Sequence, residues 1–125
     1  MPNPYHFSFD SLSYGSVSAH GGSRPILFTR VADRARGYAC NFIDFSIVPP
    51  GADIGLHTHA LDNEEVYIVI SGRGVMTVDD DLIEVGPGDV IVNRPGGTHS
   101  LRNSGDEEIR LVVLEVAVPE QFEGR

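Results

Sequence analysis

The sequence predicts an all-β domain, an antiparallel sandwich or barrel of about eight short strands. Three observations predict it. Fourteen glycines and eight prolines are spread along 125 residues, so turn-forming residues punctuate the whole chain. Between them lie short runs rich in Val, Ile, Tyr and Phe, with turn signals about every eight to twelve residues. No stretch of helical length carries an apolar period of 3.6 residues.

A chain of 125 residues suits one compact domain that buries a single core without disulfides. Eighteen acidic residues against nine basic ones give a net charge of −9. No basic run offsets it, so nucleic-acid backbones and anionic membrane surfaces are not expected partners. Cys40 is the only cysteine, which rules out an internal disulfide and a cysteine-based zinc cluster. The N-terminal MPNPYHFSFD lacks the basic flank and apolar run of a secretory signal, and no segment has the roughly 18 apolar residues of a membrane span. A soluble, cytoplasmic protein is the expectation.

Residues 1–24 mix Pro, Ser, Gly, Tyr and Phe without a sustained period and read as an irregular N-terminal arm. Tyr5, Phe7 and Phe9 are expected to pack onto the body formed by residues 25–118, and residues 119–125 make a short tail. Pro25 to Arg30 is a strand candidate, followed by a turn at Asp33 to Gly37. Asn41 to Val48 alternates, with Ile43, Phe45 and Ile47 on one face and Asp44 and Ser46 on the other. Pro49-Pro50-Gly51 stops it. Glu65 to Ile70 is apolar on both faces and should be covered on both sides, the outer one by the arm or by a second subunit. Ser71 to Gly74 signals a hairpin, with Val75 to Val78 as the return strand. Asp79-Asp80-Asp81 is a solvated turn; it has none of the ligand spacing of a calcium loop. Strands at Leu82 to Val85, Val90 to Asn93, around His99 and Leu101, and at Ile109 to Val118 complete the order.

One constellation carries chemistry. In an extended segment residues i and i+2 point the same way, so His57 and His59 can present both imidazoles to one point while Thr58 points away. An acidic residue follows at Glu64 or Glu65, and only one of these adjacent side chains can share that face. His99 arrives from a second Gly/Pro-rich turn. Three imidazoles and a carboxylate suit a divalent Mn, Fe, Co, Ni, Cu or Zn ion, and on an octahedral ion they leave two cis positions open. Tyr67, two residues beyond Glu65, shares its face and is a candidate hydrogen-bond donor to a substrate or to the glutamate; the alternative is a core tyrosine. Arg94, near His99 in sequence, is a candidate anchor for a carboxylate, or else an exposed arginine at a strand end. His6 and His20 read as surface residues.

At these residues the chain resembles the cupin superfamily. Its first motif runs Gly, five residues, His-x-His, three or four residues, Glu, six residues, Gly, and Gly51, His57, His59 and Gly72 fall in place. Counting back from Gly72 selects Glu65, and counting forward from His59 selects Glu64. Glu65 is preferred, because its interval to Gly72 lies inside a strand of fixed register while the other interval is a loop. The second motif matches at Gly88, Gly96, His99 and Asn103. Arg94 stands where that motif has proline, with Pro95 one place later.

The resemblance implies a small jelly-roll β-barrel holding one divalent transition metal per chain through His57, His59, Glu65 and His99. It implies a small-molecule ligand or substrate and a homodimer. The stretch HTHALDNEEVYIVISGRG is similar to single-domain cupins described as oxalate decarboxylases or sugar isomerases. The implied activity is decarboxylase, dioxygenase or isomerase chemistry on a small oxygenated or carboxylate-bearing metabolite. The alternative is a metal-containing binding or sensing module without turnover.

Overall fold

The computed structural model describes residues 4–119. They form ten strands: β1 (Gly15–Val17), β2 (Ile26–Asp33), β3 (Phe42–Val48), β4 (Asp53–Thr58), β5 (Asn63–Ser71), β6 (Gly74–Val78), β7 (Asp81–Val85), β8 (Val90–Asn93), β9 (Thr98–Arg102) and β10 (Ile109–Ala117). There is no α-helix among the described residues, only three short 3-10 turns. Among the described residues no helix is long and apolar enough to cross a membrane.

The strands make two antiparallel sheets of jelly-roll type. One has six strands in the order β1-β2-β3-β10-β5-β8, the other four in the order β4-β9-β6-β7. Their inner faces enclose a core that includes Val48, Val69, Met76, Leu101, Ile109 and Leu111, all 0 or 1% exposed. Burying such side chains stabilises the fold by about 1.5–3 kcal/mol each.

Several elements depart from the sequence reading. The segment before Pro25 is not irregular throughout. Gly15–Val17 pairs with Ile26–Phe28 as an edge strand, and 3-10 turns form at Phe9–Ser11 and Ala19–Gly21. These elements are too short for periodicity to register. Phe9 packs on Phe45, ring centroids 4.6 Å apart, so the segment covers the outer face of β3. Ile70, Val90 and Val92, on the outer side of β5 and β8, stay exposed in the single chain.

Ser71 to Gly74 is not a hairpin. β5 pairs with β10 and β8, whereas β6 pairs with β7 and β9, so this turn carries the chain from one sheet to the other. Gly72 has φ of 82°, and a Cβ there would meet the Glu108 carbonyl oxygen at 2.3 Å. Turn residues announce a reversal without saying which strand the chain joins next. β4, unassigned as a strand in the sequence, and β1 bring the total to ten.

The alternation in β3 is as expected, but its polar face is the one turned inward. Asp44 and Ser46 are buried and line an internal cavity, while Ile43 and Phe45 lie on the outer face. Farther along, the two ends of the histidine-bearing stretch are stitched together. Gly51 donates its N–H to the Asn103 carbonyl at 2.9 Å, and Asn103 donates to Ala52 at 3.0 Å. The turn at Arg94 closes normally, Gly97 N–H to the Arg94 carbonyl at 3.0 Å with Gly96 left-handed, so displacing the motif's proline by one place leaves the turn intact.

Candidate metal centre

Three strands from both sheets deliver the candidate ligands. β4 carries His57 and, one residue past its end, His59; β9 carries His99 opposite His57; β5 carries Glu65 from the facing sheet. The β4–β9 ladder is irregular between Ile54 and His57. Beyond that point the backbone N–H of His59 is held by the Gly97 carbonyl at 3.0 Å. Thr58 points away, bonded to Thr98 at 2.6 Å.

The structure brings His57, His59, Glu65 and His99 together, one ligand atom from each lying within 4.8 Å of the others. Glu65 is 6% exposed and His99 1%. Glu65 Oε1 lies 3.2 Å from His99 Nε2 and 3.5 Å from His59 Nε2. Glu64 falls on the other face of β5, because adjacent strand residues alternate.

Hydrogen bonds at the far side of two rings set their tautomers. His57 Nδ1 lies 2.7 Å from the Gly55 carbonyl, which can only accept, so Nδ1 carries the proton and Nε2 keeps its lone pair. His59 Nδ1 donates in the same way to Asn63 Oδ1 at 2.8 Å; the Asn63 amide nitrogen donates in turn to Asp62. Both Nε2 atoms are buried without a hydrogen-bond partner. Two buried lone pairs converging on a carboxylate are costly in an empty apolar setting and favourable around a cation, so this donor set fits a borderline-soft divalent ion. Asn93, the cross-strand neighbour of Glu65, is also buried with both amide atoms unpartnered.

Electrostatics agree with that fit. Burial pushes the His57 pKa down to about 4, against the opposing effect of the hydrogen bond that Nδ1 donates to the Gly55 carbonyl, and the neighbouring imidazoles lower it further; the ring is neutral at neutral pH. For Glu65 burial alone favours the protonated acid. The hydrogen bond from His99 and the imidazoles of His59, His99 and His57 outweigh it, and the carboxyl sits below its ordinary value. Burial, reinforced by the Glu65 charge, drives the Tyr67 hydroxyl well above the usual range, so it serves as a neutral donor and not as a base.

A cavity of about 380 Å³ opens onto His59 and Glu65 and continues along the inner faces of β2, β3 and β10. Tyr67 lines it while packing edge-on to His99, centroids 5.3 Å apart, so it is both a core residue and a cavity residue. Arg94 is exposed and outside the cavity lining. The guanidinium in the cavity belongs to Arg30, which forks onto Asp44 through Nε at 2.8 Å and Nη2 at 3.1 Å. Its place two residues beyond Phe28 on an alternating strand was the available signal, but the residue read as the end of its strand.

His20 is a second residue whose place at the site the sequence does not mark. It is exposed, as expected, but it also lines the mouth of the cavity, its ring stacked on His57 at 3.5 Å and 9°. No motif marks it, since it reaches the site from a 3-10 turn laid across β4. Glu115 on β10 is a third, its carboxyl held by Asn41 at 3.0 Å and pushed up mainly by burial.

The fold and this cluster define a small β-barrel protein with a four-residue site suited to a metal ion. The chain belongs to the cupin family: the model described as "Cupin domain" matches residues 44–115. An uncharacterised protein of Methanocaldococcus jannaschii is 37% identical over 67 residues, covering 54% of this chain and 53% of that one. The oxalate-binding protein of Thermotoga maritima is 30% identical over 67 residues, covering 54% of each. The chain thus spans about half the length of these curated relatives. Among solved structures, a predicted oxalate decarboxylase from Thermotoga maritima superposes with a TM-score of 0.81 over 87% of this chain and 96% of that one, at 22% identity. That likeness concerns the fold.

Proposed function

We propose that the chain binds one divalent transition metal through His57, His59, Glu65 and His99. It uses the metal to act on a small oxygenated or carboxylate-bearing metabolite, in decarboxylase, dioxygenase or isomerase chemistry. The observation that carries this reading is the pair of buried, unpartnered Nε2 atoms of His57 and His59 facing the Glu65 carboxylate at the end of an open cavity. When bound, a metal ion supplies Lewis-acid polarisation of substrate oxygens there. The chain's own residues do the rest. Gly55 and Asn63 hold the imidazoles in the ligating tautomer, Tyr67 offers a neutral hydroxyl, and the apolar lining from Ile54 and Val113 limits water.

Protein purified without added metal is expected to carry about one transition-metal ion per chain by elemental analysis. His57→Ala and His99→Ala should lose it; unchanged stoichiometry in both would refute the site. A second reading, a binding module without turnover, is supported by the oxalate-binding relative, and failure of the loaded protein to convert any ligand it binds would favour it.

A homodimer belongs to the same proposal. The exposed Ile70, Val90 and Val92 form a surface that a second copy would cover. Sedimentation of the wild-type chain as a monomer at micromolar concentration would sink that part.

A further inference from the structure

The wall of the cavity facing away from the histidines is built from the inner sides of β2, β3 and β10, and its chemistry is lopsided. Beyond Glu65 it carries two carboxylates, Asp44 and Glu115, and one guanidinium, Arg30. That cation is already engaged. Its Nε and Nη2 fork onto the two oxygens of Asp44, and its plane lies over the Phe42 ring, 4.2 Å from the centroid. The fork fixes the guanidinium and cancels its charge locally, while leaving donor positions at Nη1 and on the outer side of Nη2. Glu115 is likewise held at one oxygen, by Asn41 at 3.0 Å, and its Oε1 lies 3.8 Å from His59 Nδ1. The buried Ser46 hydroxyl adds a small donor and acceptor, and Phe28 and Phe42 supply apolar surface between these polar groups.

Fixed acceptors, a fixed donor with its charge cancelled, and aromatic carbon between them match a ligand that alternates hydroxyl groups with C–H faces. A dicarboxylate extending past the ligand cluster would instead bring its second charge against Asp44 and Glu115 with no uncommitted cation to receive it. We propose that this cavity takes a neutral, hydroxyl-rich molecule of the sugar or polyol class, whose hydroxyls donate to Asp44 and Glu115 and accept from Arg30. This deepens the proposed function and rests on it for the ligand's metal-bound end; the polar wall itself needs no metal.

The test is ligand affinity by calorimetry on the full chain loaded with manganese(II), with metal content measured in every sample. D-Fructose and D-xylose are the hydroxyl-rich probes, succinate is the extended dianion, and oxalate is the probe small enough to stay at the ligand cluster. The sugars are expected to bind at least about tenfold more tightly than succinate. Glu115→Gln should weaken sugar binding about fivefold or more and strengthen succinate binding, the two compared at equal metal occupancy. Because removing Arg30 alone would strand the buried Asp44, the paired Arg30→Gln/Asp44→Asn variant is the partner test; it keeps a hydrogen-bonded neutral pair and should also lose sugar affinity. Succinate binding as tightly as the sugars, no sugar binding by protein that holds metal, or sugar affinity unmoved in both variants would each overturn the proposal. Wild-type protein that retains no metal would count against the metal site alone, because the same sugar and succinate comparison is then read on the metal-free chain with the same deciding outcomes.

Discussion

The ring of His20 lies parallel to that of His57 at a centroid distance of 3.5 Å, although the two residues come from segments on either side of β2 and β3. The approach depends on glycine. A Cβ on Gly55 would sit 2.2 Å from the His20 carbonyl oxygen, and one on Gly22 would sit 2.3 Å from that of Asp53. Asp53 Oδ1 also accepts from Ser23 N at 2.7 Å and Ser23 Oγ at 2.8 Å, tying the 3-10 turn to β4. His20 itself is held at φ of 51°, a conformation unfavourable for a residue with a Cβ.

From this follows a graded expectation for the stack. His20→Ala should destabilise the fold by about 0.5–1.5 kcal/mol and His20→Phe by less, since the phenyl ring can still stack. Gly55→Ala should cost more, about 1–3 kcal/mol, because backbone has to move. Urea unfolding of the three variants checks the order; Gly55→Ala matching wild type would show that the turn is not seated against β4.

The two adjacent glutamates should separate cleanly. Glu65→Gln is expected to remove most of the bound metal by elemental analysis, since the side chain points at His59 and His99. Glu64→Gln, on the opposite face of β5, should leave metal content within error of wild type. The reverse order would show that the register of β5 has been misassigned.

Acid should weaken the metal-free protein in a defined window. The His57 pKa is pushed down to about 4 in the fold from an ordinary 6.5, so between those values the unfolded chain binds more protons than the native one. Stability therefore rises with pH across that interval and is lost as pH falls from about 6.5 toward about 4. The depressed Glu65 carboxyl acts in the same direction at the acid end. Unfolding midpoints at several pH values across the window check this, and His57→Asn should flatten the slope. An equal slope in the variant would assign the effect to other groups. Metal retention should fall over the same interval, because protons compete for the same lone pairs.

Asn103 is expected to matter for folding and not for ligation. It is fully buried, its amide nitrogen donates to the carbonyls of Val48 at 2.9 Å and Glu107 at 2.7 Å, and its oxygen accepts from Gly105 N–H at 3.0 Å. Asn103→Ala leaves these backbone groups unpaired, at about 1–3 kcal/mol for each one that stays buried. A large drop in the thermal midpoint, with metal content unchanged in the surviving folded fraction, is the outcome that fits. Loss of metal at full stability would contradict it.

Much of the site was legible in order along the chain. His57 and His59 share a face because of the two-residue period of extended backbone, and the spacing to Gly72 through a strand of fixed register favours Glu65 over Glu64. The same period identified β3 but not its orientation. Apolar residues usually mark the inside, yet here the cavity needs polar walls, so Asp44 and Ser46 face inward and Phe9 covers the outer side. Arg94 is close in sequence to the motif histidine His99, yet Arg30 is the arginine that lines the cavity.

The sequence by itself determined the all-β class, most of the strands and the identity of the four clustered side chains, because these follow from local period, turn chemistry and spacing. Only the tertiary structure decided that Ser71 to Gly74 crosses between sheets, that the stretch around His20 folds back over His57, and that Arg30, Asp44 and Glu115 share a cavity with the histidines. Those relationships join residues far apart in sequence through strand pairing and sheet closure, and local pattern carries no information about which distant strand becomes a neighbour.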